Sequence, residues 1–310
     1  MNSQRILKEE IEKGKNFGLP LVLFDLLARA TKSAAFYRKK HDVVLNYLKK
    51  NYQDVLQKYK TQSSSDGNIE SDCPIWVFWY QGFEEAPILV QRCLQSLKKC
   101  AGNHPIYEVS KYNYYNYVEI PSYIQKKVED KKITITQFSD VLRVSLLAKY
   151  GGCWADATIF FVDWIRDNLD ELSWFSVKQK PKFMNPKYVS EYRWATYFHI
   201  CARDNIIEKY MRDMYYAYWK EQSSLIDYFL QDYFLALGYS LIPEIAKQVD
   251  NIPYNNQDVD WLRLNLNQKY EEAVYEQITK NTALFKLDWR EKAEFAKDTY
   301  GEKLINEEYT

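Results

Sequence analysis

Histidine is scarce in this chain, with three among 310 residues, at positions 41, 104 and 199. No two stand at ligand spacing, which argues against a histidine-built metal centre or a histidine-based catalytic triad. The five cysteines, at 73, 93, 100, 153 and 201, are odd in number and form no CxxC pair, so neither a disulfide framework nor a zinc site is indicated. Cys93 and Cys153 fall in apolar runs and read as small core hydrophobes. Net charge is also missing: 42 basic residues balance 42 acidic ones, so no nucleic-acid partner is expected. The longest apolar run, residues 19–30, contains Asp25 and is too short to span a bilayer. The first residues are charged at once (Arg5, Lys8, Glu9, Glu10) and lack the apolar core of a signal peptide. A cytoplasmic location is therefore the expectation.

Aromatic residues are plentiful: 16% of the chain, with 27 Tyr and 9 Trp. Rings of this kind can lie against the C–H faces of sugars, although packing accounts for most of them. A length of 310 residues allows one large domain or a domain with an appendage. Residues 1–60 read as a helical N-terminal region. Its stripe of Leu21, Val22, Phe24, Leu27 and Ala28 is followed by nine Lys and Arg against Asp42 and Asp54. Such a basic amphipathic segment fits an anionic membrane surface, here the inner face of the plasma membrane, or a helical hairpin packed on the main domain with a solvated basic side. Residues 61–72 are polar and read as a linker, with the main domain at 73–310.

From there strands and helices alternate. Strands are expected over 75–80 and 106–109. Helices are expected over 87–99, 123–128, from Asp204 as a cap, and over 226–237. This alternation predicts an α/β sheet with crossovers. The most informative stretch is Phe138-Ser139-Asp140-Val141-Leu142-Arg143, followed by Tyr150-Gly151-Gly152-Cys153-Trp154-Ala155-Asp156-Ala157-Thr158. It reads as a helix capped by Ser139 or Thr136, a glycine stop and a buried strand. Asp156 falls near a strand end in apolar surroundings, where a carboxylate needs a cation.

This segment resembles the glycosyltransferases of the capsular polysaccharide synthesis family, which are similar to the DXD-motif sugar transferases related to yeast mannosyltransferases. The family pattern is Phe-Ser-Asp-x-x-Arg, then Tyr-Gly-Gly-x-Trp-x-Asp-Ala-Thr. Two further matches lie at Pro74-Ile75-Trp76-Val77-Phe78-Trp79-Tyr80-Gln81-Gly82 and at Tyr218-Trp219-Lys220 with Leu225-Ile226-Asp227-Tyr228-Phe229-Leu230. The resemblance implies a GT-A-type nucleotide-sugar-binding sheet flanked by helices, and transfer from a nucleotide donor, a UDP-sugar, to a lipid-linked glycan acceptor.

It further implies site residues. Asp156 is the candidate for a Mn²⁺ or Mg²⁺ ion or the donor sugar, supported by Thr158, which stands where the related motif has its second Asp. A divalent ion there would neutralise the leaving diphosphate. Asp140 and Arg143 share a helix face, either as a plain ion pair or as ligands of donor hydroxyls and phosphate. Phe78, Trp79 and Gln81 close the first strand, where a ring could stack on the base or pack in the core. Asp227 and Asp232 lie in an apolar run, and either could orient or deprotonate the acceptor; Asp227 matches the family position and is the one taken as catalytic. Tyr188, Tyr192, Trp194, Tyr197 and Phe198 cluster as a possible acceptor groove. Two rivals remain: a nucleotidyl- or phosphotransferase, which would want more clustered acids, and a degenerate non-catalytic carbohydrate- or membrane-binding relative.

Overall fold

Residues 3–62, 67–165, 167–180, 185–290 and 294–306 are described by the computed structural model. Residues 63–66 of the expected linker and the last four residues lie outside them. Four helices come first: α1 (Ser3–Phe17), α2 (Leu19–Thr31), α3 (Ala34–Asn51) and α4 (Gln53–Lys60). They are not a loose appendage. α3 lies against α9 (Leu230–Leu241) and α4 against α8 (Ile206–Glu221), and Leu21, Val44, Leu48 and Tyr59 share one core with the sheet. Lys40, counted among the basic residues of this region, is buried and bridges Asp227 (2.8 Å) and Asp25 (3.5 Å). Burial alone would raise the Asp25 carboxyl, but Arg29, Lys13 and Lys40 outweigh it and hold it well below the usual range. This region therefore packs on the main domain.

The remaining elements run β1 (Ile75–Phe78), α5 (Ile88–Cys100), β2 (Ile106–Val109), α6 (Ser122–Glu129), α7 (Ile135–Tyr150), β3 (Gly152–Asp156), β4 (Ile159–Phe161), β5 (Trp174–Ser176), β6 (Phe198–Cys201), α8, α9, α10 (Pro243–Asn251), α11 (Trp261–Asn265), α12 (Glu272–Thr279), β7 (Leu284–Lys286) and α13 (Tyr300–Ile305). The main sheet has the order β2-β1-β3-β6-β5. β1 is parallel to β2 and β3, whereas β6 is antiparallel to β3 and β5. The protein is therefore α/β, with a central mixed sheet flanked by helices. β4 and β7 form a separate antiparallel pair. A second core of Leu89, Phe160, Leu262, Phe285, Leu287 and Leu304 lies under that pair.

Several local expectations shift. The cap of α7 is Thr134, not Ser139 or Thr136: its hydroxyl accepts from Gln137 N while the Gln137 side chain accepts from Thr134 N. This reciprocal box satisfies two free donors at once, which a lone Ser139 cannot. The cap of α8 is Asn205, whose side chain accepts from Ile207 N at 2.9 Å, and Asp204 stands one residue too early. The helix expected from residue 226 begins only at Leu230, so Asp227 sits in the preceding turn and Asp232 in the first helical turn.

Candidate active site

The glycine stop after α7 aims β3. Gly151 has φ +66 and Gly152 φ +93, a region costly for other residues. A Cβ on Gly152 would lie 2.2 Å from Pro74 O, so only glycine lets β3 enter the sheet beside β1. β3 then runs four more residues and ends on Asp156, paired across the sheet with Phe78 at the end of β1. Side chains alternate along a strand, so Trp154 and Asp156 share a face, the one covered by α7. The Arg143 guanidinium of α7 sits 5.1 Å from the Trp154 ring centre.

Around Asp156 the partners converge. Its Oδ1 accepts from Arg143 Nη2 (3.0 Å) and Trp154 Nε1 (2.9 Å). Its Oδ2 accepts from Lys286 Nζ (2.9 Å), which also donates to Thr158 Oγ1 (2.6 Å). Arg143 additionally donates to Gln231 Oε1 (2.6 Å) and lies 3.2 Å from Asp140. Burial favours the neutral form of Asp156, yet Lys286 and Arg143 outweigh it and keep its carboxyl below the ordinary range. Asp140 goes the other way: burial and the Asp156 charge prevail over Arg143 and push it up to about 7.

Asp140, Arg143, Asp156, Gln231 and Lys286 line a cavity of about 380 Å³ at the carboxyl end of β3, whereas Thr158 and Trp154 stand behind them and outside the lining. That size suits a small-molecule site, and the carboxyl end of a parallel strand is where α/β sheets bind ligands. Its lining also carries Tyr188, Tyr192, Trp194 and Tyr197, together with Tyr228 and Asp232, and the Tyr197 ring lies 5.2 Å from the Lys286 ammonium. Phe198, grouped with those rings by sequence, is instead fully buried on β6. Asp232 accepts from Trp194 Nε1 at 2.9 Å. Burial, reinforced by the Asp140 charge, raises its carboxyl to about 7 against the lowering effects of Trp194 and Arg143.

The structure thus brings Asp140, Arg143, Asp156 and Thr158 together. Asp227 stands apart: it does not line the cavity, and its carboxylate is held by Lys40 and by Phe229 N (3.0 Å). Phe78, Trp79 and Gln81 are not in the lining either. Phe78 packs edge-on against Phe138 and props α7, Trp79 meets Trp289, and Gln81 is exposed. Sequence reasoning missed Lys286 and Gln231, and of its two candidate bases the structure places Asp232, not Asp227, in the lining. The one available signal for Lys286 was a lone cation inside the apolar run Leu284-Phe285-Lys286-Leu287.

The expected divalent ion fits this donor set poorly. Both Asp156 oxygens and the Thr158 hydroxyl are engaged by cationic or N–H donors. Among the described residues no cluster of three or more His, Cys, Asp or Glu is arranged to hold a metal.

Comparison with known proteins bears on this site. The curated O-glycosyltransferase PaGT of Phomopsis amygdali is 24% identical over 151 residues, which is 46% of this chain but only 34%, about a third, of that protein's length. No solved structure matches. A family model described as capsular polysaccharide synthesis protein matches residues 26–304, from α2 through α13 and across every residue of the cavity. The chain belongs to the capsular polysaccharide synthesis protein family.

Proposed function

We propose that this protein is a glycosyltransferase that moves a sugar from a nucleotide donor, a UDP-sugar, to a lipid-linked capsular or surface polysaccharide unit. In this reading the mixed sheet serves as a GT-A-type nucleotide-sugar domain. The observation that carries it is the cavity itself: Arg143 and Lys286 converge on Asp156, and Asp232 and several aromatic rings line the same space. Family membership and a relative named as an O-glycosyltransferase support it.

The chemistry follows from charge. As the bond from the anomeric carbon to the diphosphate oxygen breaks, negative charge grows on the leaving group, and fixed cations stabilise it most in a site sheltered from water. Asp140 accepts a hydrogen bond from a donor hydroxyl. The acceptor hydroxyl forms the new C–O bond, and its proton passes to Asp232, whose pKa of about 7 suits a base at neutral pH. The rings of Tyr188, Tyr192 and Trp194 hold the acceptor sugars.

A thermal-shift panel of UDP, GDP, CMP and their sugar conjugates tests the donor class. Selective binding at a hundredfold excess over Kd stabilises the fold by roughly 2.7 kcal/mol. A shift with UDP compounds is expected, together with a loss of transfer of about a hundredfold or more in Asp156→Asn, because Arg143 and Lys286 lose their shared anchor. Absence of a shift with every nucleotide, or full turnover by Asp156→Asn, sinks the reading.

A further inference from the structure

We infer that Lys286 occupies the place of a divalent cation, so that the protein binds a diphosphate without metal. The inference rests on the transferase reading for its ligand and on the geometry of Lys286 for its content.

Two groups of the Asp-x-Thr segment would have to ligate a metal there, the Asp156 carboxylate and the Thr158 hydroxyl. Both accept from a single ammonium, at 2.9 and 2.6 Å. The charges explain why this works. A divalent ion between two carboxylates sums to zero. Lys286, Asp156 and the neutral Thr158 also sum to zero. The hydroxyl that replaces the second Asp removes one negative charge, and a cation of one charge instead of two restores the balance. An aspartate at 158 would leave a lone ammonium facing two carboxylates. The departure of the motif from Asp-x-Asp is therefore compensated by a residue 128 positions downstream.

Lys286 is built into this place rather than resting there. It ends β7, whose partner in register across the pair is Ile159, next to Thr158. Lys286 N donates to Val259 O (2.8 Å), and Leu287 N donates to Thr158 O (2.9 Å), which ties the lysine backbone to the very segment its side chain serves. Phe285 and Leu287 on either side are buried in the second core. The ammonium has three donors, and two are spent on Asp156 and Thr158. The third remains for a phosphate oxygen in the cavity that Lys286 lines. Arg143, held on the same carboxylate, supplies the second cation.

Isothermal titration with inorganic pyrophosphate and with UDP, in EDTA and in Mn²⁺, tests this on the full chain. Wild type should bind both with affinities that agree within about twofold in the two buffers. Lys286→Met should lose tenfold or more in EDTA, and Lys286→Arg should recover most of it. The double variant Lys286→Met/Thr158→Asp should gain a Mn²⁺ dependence that wild type lacks. Circular dichroism on each variant separates loss of folding from loss of binding. A tenfold gain of wild-type affinity on adding Mn²⁺ overturns the inference, as does wild-type binding by Lys286→Met or no pyrophosphate binding at all. The two readings fail differently. If transfer occurs but disappears with pyrophosphate binding in EDTA, the metal-free site is wrong and the transferase stands. If pyrophosphate binds in EDTA but no nucleotide sugar is turned over, the transferase reading fails alone.

Discussion

Asp232 shows how one residue's surroundings set its chemistry. Its carboxyl shares the cavity with Asp140 and Arg143, accepts from Trp194, and has Asp227 nearby on the preceding turn. Burial is the largest influence and places its pKa at about 7, up from an ordinary 3.8. Transfer should therefore rise with pH through about 7 and level off above it. Asp232→Asn should lower kcat by about 10²–10⁴ and flatten that limb. A linked effect has a definite sign. The native state keeps a proton that the unfolded chain releases near 3.8, so this group costs stability progressively as pH rises from about 4 to about 7. Melting curves should show Asp232→Asn gaining on wild type between pH 5 and pH 8, and a difference independent of pH would remove the raised carboxyl. Legibility at this scale depended on sequence distance. Asp140, Arg143, Asp156 and Thr158 fall within 19 consecutive residues and were singled out together. Lys286 meets them only because β7 pairs with β4, a contact that leaves no local trace. Asp227 and Asp232 looked alike in one apolar run. The start of α9 at Leu230 separates them and turns one to Lys40 and the other to the cavity.

Among the elements, the path from α7 to β3 matters most, because it delivers Arg143 and Asp156 to each other. The helix and its glycine stop were legible from helical spacing and from the two glycines. A strand ending near Asp156 was legible too, but the β-branched run that argued for it, residues 158–162, falls on β4 of the other sheet, and β3 holds no β-branched residue. The cap was not, because Thr134, Thr136 and Ser139 all qualify by residue type and only the Gln137 side chain selects Thr134. β5, β6 and β7 escaped too: β5 and β7, at three residues each, are too short to show alternation, and β6 begins at Phe198, which reads in sequence as one more ring of an aromatic cluster. The parallel strands β1 and β2 were found near their observed bounds, and the mixed character of the sheet comes from the strands that were not. Gly152 gives this element its test. Alanine there combines a φ of +93 with a Cβ 2.2 Å from Pro74 O, and the backbone strain alone costs about 1–3 kcal/mol. The carbonyl cannot yield freely, since it accepts from Cys153 N at 2.7 Å. Gly152→Ala should lower the melting temperature by several degrees and weaken nucleotide binding, because β3 must shift and carry Asp156 with it. Gly67→Ala, where a Cβ meets nothing within 4 Å, should change neither. A stable, fully binding Gly152→Ala would show that β3 tolerates displacement.

For the whole molecule, the question is why the mixed sheet carries four helices ahead of it. Part of the answer is support. Lys40 joins Asp25 of α2 to Asp227, and a buried pair broken on one side is strongly destabilising, so these helices and the turn before α9 hold one another. Support explains only the inner side of α2, where Leu21, Asp25 and Ala28 are buried. The opposite side presents Leu19, Leu23 and Leu26, which are 77%, 53% and 47% exposed and recur at helical spacing. No helix among the described residues is long and apolar enough to cross a membrane. We propose that this stripe rests on a membrane surface. Exposed Lys15, Lys32, Arg38 and Lys39 flank it, a charge that matches anionic lipid headgroups. A lipid-linked acceptor would then meet a transferase already resting on its membrane, with the Tyr228 lip of the cavity one residue from the Asp227 turn that α3 grips. Burying a leucine side chain contributes about 1.5–3 kcal/mol, and partial insertion of two leucines is enough for a tenfold change in partition. Wild type should sediment with vesicles containing phosphatidylglycerol, less so with phosphatidylcholine alone, and less at high salt. Leu23→Gln/Leu26→Gln should bind such vesicles at least about tenfold more weakly while turning over a soluble acceptor normally. Unchanged vesicle binding by that variant would leave the stripe to another partner and remove the membrane from the account of these helices.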